Sequence, residues 1–230
     1  MLNKNAEHER TATFVTTRFE QWILPLLARK LPAWVMPDHL TVLGLLAATA
    51  ISVFYLATNS NPAWLWAVNA ALVVHWLGDS LDGTLARVRK IERPRYGFYL
   101  DHICDAYSTF AIGIGLGLSP YMLLAVSLAG VVAYLVLSIN VYLETHAFGK
   151  FRYGYGIVGP TEARILLILL NITVFLAGDL PFKLFSYGIT VFDLVGVAVV
   201  LGMGGLLMRR VARNLRELGR LEPPNVVKKD

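Results

Sequence analysis

Six stretches of this chain are apolar almost without interruption, at about 39–58, 63–81, 99–118, 121–144, 162–178 and 189–208. Each approaches the roughly 20 residues that an α-helix needs to cross the hydrocarbon of a bilayer. The breaks between them are rich in turn formers: Asn59-Ser60-Asn61-Pro62, Ser119-Pro120 and Gly178-Asp179-Leu180-Pro181. Ahead of the first stretch, residues 12–34 mix Phe14, Trp22, Ile23, Leu24, Leu27 and Trp34 with Arg18, Glu20, Arg29 and Lys30. That pattern suits an amphipathic helix, lying in the membrane interface or packed against the bundle, which Pro25 is expected to kink or divide. The predicted fold is all-α: six transmembrane helices preceded by an N-terminal amphipathic interfacial helix. Three regions follow from it: a cytoplasmic segment 1–36, a membrane domain 37–212 and a basic tail 213–230.

Composition sharpens this picture. Of the 230 residues, 56% are hydrophobic and 16% charged, whereas soluble domains carry about 25% charged residues. The single cysteine, Cys104, excludes an internal disulfide and a cysteine metal cage. The net charge of +5 could indicate nucleic acid or anionic lipid. Its distribution decides. Lys and Arg crowd the N-terminal segment, the loop with Arg87, Arg89, Lys90, Arg93 and Arg95, the region with Lys150, Arg152 and Arg164, and the C-terminal tail. These hold 20 of the 21 basic residues, and only Lys183 falls on the other side. By the positive-inside rule both termini are cytoplasmic, and no nucleic-acid partner is needed to explain the charge. The opening MLNKNAEHERTATF lacks the apolar core of a secretory leader, and no lipidation or organelle signal is seen. The expected location is a bacterial or archaeal cytoplasmic membrane, crossed several times.

Carboxylates in or beside membrane spans are costly, and they mark function by default. Four of them flank one cytoplasmic loop. Asp79 and Asp82 end the second span, and Asp101 and Asp105 open the third. Spacings of three and four residues put each pair on one helix face. If the two spans pack together, the carboxylates converge, and divalent cations would relieve their repulsion. Oxygen ligands favour a hard ion, Mg²⁺ or Mn²⁺, and two metals about 3.5–4 Å apart are a known device for in-line phosphoryl displacement. Gly83 would let a substrate approach the helix backbone, Ala86 keeps the next turn small, and Arg87 offers a planar donor fork for phosphate. Gly97 suits a helix start or a tight contact before Asp101.

The run Asp79-x2-Asp82-Gly83-x2-Ala86-Arg87 … Gly97-x3-Asp101-x3-Asp105 resembles the motif of the CDP-alcohol phosphatidyltransferase family. The likeness extends to Pro37-Asp38-His39-Leu40-Thr41 and to the six-span layout. One departure is the gap of nine residues between Arg87 and Gly97, where about eight is usual. The resemblance implies that Asp79, Asp82 and Asp101 ligate the two metals, with Asp105 completing the site and acting as general base. It implies that Gly83, Ala86 and Arg87 line a CDP pocket. The acceptor hydroxyl would attack the donor's β-phosphorus, and CMP would leave. Asp101-His102-x-Cys104-Asp105 is similar to the choline and ethanolamine phosphotransferase branch, although Phe98 stands where that branch carries Glu. Two substrate arrangements stay open. CDP-diacylglycerol could donate to a soluble polar alcohol, or a CDP-amino alcohol could donate to diacylglycerol. A homodimer is implied by the family alone.

Other residues carry weaker signals. His102 could assist proton transfer or orient a phosphate, or be a satisfied interfacial histidine. Pro160 suits the first turn of the fifth span, with Glu162 and Arg164 either binding the acceptor or forming a charged helix start. Asp193 would cap the sixth span or meet water. Gly196, Gly202, Gly204 and Gly205 would permit close helix packing. Trp64, Trp66 and Tyr121 fit an outer aromatic belt. Asn69 and His75 are expected to bond between helices. A divalent-cation transporter could also use intramembrane Asp pairs, but it would hold them near the midplane rather than beside a basic loop.

Overall fold

The computed structural model describes residues 16–148, 159–178, 182–184 and 187–223. Among them the chain forms seven helices: α1 (Thr17–Lys30), α2 (Pro37–Ala57), α3 (Trp64–Val88), α4 (Pro94–Gly117), α5 (Leu124–Phe148), α6 (Pro160–Ala177) and α7 (Val191–Leu221). A short antiparallel hairpin, β1 (Phe182–Leu184) and β2 (Tyr187–Ile189), pairs Phe182 with Ile189 before α7. The all-α expectation is modified by this hairpin. It ends at Ile189, where the sixth apolar stretch was expected to begin, and α7 starts two residues later.

Local chemistry sets the helix starts. Pro37, Pro94 and Pro160 each stand in the first turn of their helix, where a missing N–H costs nothing. Thr190 caps α7: its hydroxyl oxygen accepts from the Asp193 amide, and Asp193 in turn accepts from the Thr190 amide at 2.9 Å. Asp193 also accepts from the Leu123 amide at 2.7 Å and is buried, so it caps its helix and does not meet water. Pro25 does not divide α1, which runs through it as one helix. α3 continues beyond residue 81 to Val88, so Gly83, Ala86 and Arg87 ride on it. α4 begins at Pro94, not near 99.

Helices α2, α5, α6 and α7 are long and apolar enough to cross a membrane, which marks a membrane protein. α3 and α4 are of matching length, 25 and 24 residues, but polar side chains such as Asn69, His75, Asp79 and Asp101 dilute their hydropathy. The physical heart of the molecule is the contact of α2 with α3 and α4. A Cβ added to Gly78 would lie 2.6 Å from the Gly44 amide nitrogen and 2.8 Å from the Leu40 carbonyl, so these backbones touch. Gly115 of α4 lies against the backbone of Ser52 in the same way. Small residues are how apolar helices approach this closely when lipid is as apolar as they are.

Ile51, Tyr55, Leu65, Val68, Leu72 and Phe192 fill the core toward one end, and Leu24, Ala28, Val35, Leu40, Leu81 and Leu85 fill it toward the other. A polar chain threads the first cluster: Tyr55 donates to Asn171 at 3.1 Å, and Asn171 donates to Asn69 at 2.8 Å. Asn69 does bond between helices, as expected. Between α5 and α7, buried Glu144 accepts from Asn140 at 2.7 Å and from Asn214 at 2.6 Å.

The remaining expectations divide. Trp64 and Trp66 are exposed, whereas Tyr121 is buried beside Phe192 and belongs to no outer belt. Gly196 packs closely on Met122 and Val126, but Gly202, Gly204 and Gly205 face open space within this chain. Substituting Gly78→Ala is expected to force α2 and α3 apart and cost about 1–3 kcal/mol, the usual range for overpacking. Gly204→Ala should be silent. Thermal unfolding of the two variants in detergent checks both, and an unshifted Gly78→Ala would contradict the backbone contact.

Candidate active site

The close approach at Gly78 fixes where the next residues go. Asp79 and Asp82 follow it on α3, one turn apart, and Thr41 of α2 sits opposite. A cleft between α2, α3 and α4 is lined by Thr41, His75, Asp79, Asp82, Asp101 and Cys104, among others. The structure therefore brings three of the four singled-out carboxylates, from two helices, to one cavity. Asp105 lies one turn further along α4, half-buried, and is not among the residues lining the cleft.

The three carboxylates of the cleft each have a partner from the protein. The Thr41 hydroxyl donates to Asp82 Oδ2 at 2.7 Å, and the Gly83 amide donates to Asp82 Oδ1 at 2.5 Å. Arg164 Nη2 donates to Asp79 Oδ2 at 2.6 Å. Arg164 Nε donates to His75 Nδ1 at 3.0 Å, so the ring proton of His75 sits on Nε2. His75 makes the interhelical bond expected of it. Asp101 is half-exposed and lies 3.6 Å from His102 Nδ1. That nitrogen also donates to the Phe98 carbonyl at 2.7 Å, and the ring is held between Phe98 and Tyr142.

The other motif residues lie at the edge. Arg87 is exposed and donates to the Thr84 hydroxyl at 3.0 Å. Gly83 and Ala86 are partly exposed on the same helix. Gly97 lies inside the first turn of α4, with nothing within 4 Å of an added Cβ. It is thus neither a helix start nor a tight contact within this chain, because α4 begins three residues earlier than its glycine suggested.

Sequence reasoning gave no partner for Thr41, which lines the cleft, or for Arg164, which reaches Asp79 from α6. A threonine near the start of an apolar run carries no distinguishing pattern, so Thr41 was invisible as the partner of Asp82. Arg164 was legible in principle, since a guanidinium just inside an apolar helix is costly unless paired. What it pairs with lies 85 residues away in sequence.

The surroundings hold these helices in register. Glu162 caps α6 through the Gly159 amide at 2.8 Å and accepts from the amide and hydroxyl of Thr16 at 2.9 and 2.8 Å. In return, Glu20 of α1 accepts from Thr161 at 2.6 Å and from the Trp76 indole at 2.9 Å. The start of α6, which carries Arg164, is thereby latched to α1. Arg89 clamps the linker from α1 to α2 by donating to the carbonyls of Leu31, Pro32, Ala33 and Val35. Arg93, ahead of α4, pairs with Asp38 and lies over the Tyr96 ring at 3.9 Å. The hydrogen bond that Arg93 donates to Asp38 pushes its guanidinium still higher than its ordinary range.

Carboxylate oxygens from two helices at one cleft form a hard donor set, which fits Mg²⁺ or Mn²⁺. Among the described residues, no three His, Cys, Asp or Glu side chains are gathered closely enough to share one ion in this arrangement. Asp79 instead meets Arg164, and Asp82 meets Thr41.

The fold and cleft define a helical membrane protein with an acidic site between its closest-packed helices. Residues 34–204 match the family model described as CDP-alcohol phosphatidyltransferase. The chain belongs to the CDP-alcohol phosphatidyltransferase family, whose members are generally divalent-metal dependent. It is 26% identical over 197 residues to cholinephosphotransferase 1 of Danio rerio, covering 79% of this chain and 48% of that protein. It is 27% identical over 213 residues to cholinephosphotransferase 1 of Gallus gallus, covering 84% and 62% respectively. It is also 31% identical over 185 residues to the CDP-diacylglycerol–serine O-phosphatidyltransferase of Encephalitozoon cuniculi, covering 75% of this chain and 45% of that one. The chain thus spans roughly half the length of the relatives it matches.

Because the Thr41 hydroxyl is the interhelical partner of Asp82, Thr41→Val should lower stability by about 1 kcal/mol, the usual net worth of such a bond. Thr41→Ser should restore it. Chemical or thermal unfolding of both variants reads this directly, and equal stability of all three proteins would contradict it.

Proposed function

We propose that this protein is a phospholipid-synthesis transferase that moves a phosphatidyl or phospho-alcohol group from a CDP-activated donor to an alcohol and releases CMP. The observation that carries the proposal is the convergence of Asp79, Asp82 and Asp101, from a motif that resembles the family's, on one cleft between α2, α3 and α4. Asp79, Asp82 and Asp101 would hold two divalent ions, with Asp105 completing the set. When bound, the ions would offset charge on the donor's diphosphate and on the departing oxygen.

The chain's own residues do the rest. Gly83 and Ala86 leave the α3 surface low enough for a nucleotide, and Arg87 presents its guanidinium to the diphosphate or the pyrimidine carbonyl. Gly97 leaves the facing turn of α4 open. Asp105 takes the proton of the acceptor hydroxyl. The acceptor oxygen then forms its bond to the β-phosphorus, while the bond from that phosphorus to the CMP oxygen breaks and its electron pair leaves with CMP. His102, fixed beside Asp101 by the Phe98 carbonyl, assists proton movement or orients the acceptor.

In this reading α3 and α4 cross the membrane together with α2, α5, α6 and α7, giving six spans with both termini cytoplasmic. α1 lies in the interface, with exposed Phe19, Trp22 and Leu26 on one face toward lipid. The protein works as a homodimer in a cytoplasmic membrane. The names of its relatives support both substrate arrangements, a CDP-amino alcohol with diacylglycerol and CDP-diacylglycerol with a polar alcohol.

A donor–acceptor panel on the purified protein with Mg²⁺ or Mn²⁺, following labelled CMP, tests the reaction and selects the substrates. Asp101→Asn is expected to lower CMP release by about two to three orders of magnitude, the scale of losing one preorganised electrostatic contact. It should remain folded by gel filtration and thermal melt. His102→Ala should lose activity only in part. Undiminished CMP release by Asp101→Asn would remove its assigned role. Cation flux into liposomes without CMP release would identify a transporter instead.

A further inference from the structure

Arg164 meets the cleft through one of its carboxylates, Asp79. The arginine enters from near the start of α6, and its side chain is only 10% exposed. It is held from two sides, by the His75 ring at 3.0 Å and by Asp79 at 2.6 Å. A guanidinium is always charged, so this is a fixed positive charge on the very oxygen that a divalent ion would need. The helix turn that carries it is itself fastened, through Glu162 to Thr16 and through Thr161 to Glu20. The side chain is therefore built into position and is not a surface arginine that happens to fall nearby.

From this geometry we infer that Arg164 is a positioning residue that stands in for a metal ion at Asp79 and competes with it. Without an ion, it holds the Asp79 carboxylate on the α6 side of the cleft and neutralises its charge where water is scarce. An arriving divalent ion must either displace the guanidinium from Asp79 Oδ2 or share the carboxylate with it. In both cases two cations oppose each other at short range, so Arg164 lowers the affinity of the site for metal. The residue keeps the acidic cleft folded when empty and makes its loading reversible. His75, with Nδ1 turned to Arg164, is the anchor that fixes the guanidinium's approach.

The inference rests on the proposed metal role of Asp79, and the test separates the two. Mn²⁺ binding to the full-length protein in detergent, read by electron paramagnetic resonance, is compared for the unaltered chain, Arg164→Gln, Arg164→Lys and Asp79→Asn. Thermal melting is followed in parallel, in EDTA and in Mn²⁺. Arg164→Gln is expected to bind Mn²⁺ about tenfold more tightly, within the usual range of a coupling between two ligands. It should also melt at a lower temperature in EDTA and recover in Mn²⁺. Arg164→Lys, which keeps the charge but cannot hold both partners at once, should fall between. If Arg164→Gln can be purified only with Mn²⁺ present, slower release of the ion on adding EDTA is the equivalent result. Unchanged or weaker Mn²⁺ binding by Arg164→Gln, with the unaltered chain binding normally and Asp79→Asn impaired, overturns the role of Arg164 alone. Absence of Mn²⁺ binding by the unaltered chain overturns the metal reading as well.

Discussion

The backbone of α2 touches the backbone of α3 at Gly44 and Gly78, and the rest of the site is arranged around that crossing. With no side chain between them, the two helices meet at one depth. The residue after Gly78 is Asp79, and Thr41 of α2 reaches Asp82 one turn later. α4 closes on the same helix through Gly115 and Ser52, which brings Asp101 to the cleft from the other side. Three carboxylates thus come together because small residues let three backbones come together.

Such a gathering of acids is unfavourable by itself, and the structure shows how it is tolerated. Hydrogen bonds from Thr41 and the Gly83 amide satisfy Asp82, and Arg164 neutralises Asp79. Arg164 is in turn placed by α6, whose first turn is fastened to α1 by a reciprocal exchange: a glutamate of each helix accepts from a threonine beside the other. An element outside the central bundle is therefore connected to the acidic cleft through only a few bonds. The Arg89 clamp on the linker between α1 and α2 makes that connection stiff.

Much of this was legible from the pattern of residues. Long apolar runs give helices because a backbone in hydrocarbon has no other way to satisfy its polar groups. The acidic pairs stood out because charge is rare in such runs. Asn69 and His75 were recognisable as interhelical donors or acceptors for the same reason. The boundaries were less legible. α3 outlasts its apolar stretch to Val88, since Asp82, Thr84 and Arg87 are compatible with helix without being apolar. α4 starts at Pro94, where a proline rather than an apolar residue marks the first turn. The burial of Tyr121 against Phe192 depends on a contact between distant segments, to which local pattern is blind. Thr41 and Arg164 illustrate the same limit at the site: their residue types were visible, but their partners were fixed only by the crossing of helices.

Steric room also dictates where this sequence is free to drift. At Gly78 there is no rotamer to adjust and no soft layer to compress, so even one methyl group must be answered by movement of a whole helix, whereas a methyl on Gly44 would meet the α3 backbone at ordinary contact distance. At Gly202, Gly204 and Gly205 of α7 an added methyl meets nothing in the chain. The same amino acid is therefore a rigid hinge-pin in one helix and a nearly neutral position in another. Mutational tolerance along this protein should follow the distance between backbones and not the identity of the residue.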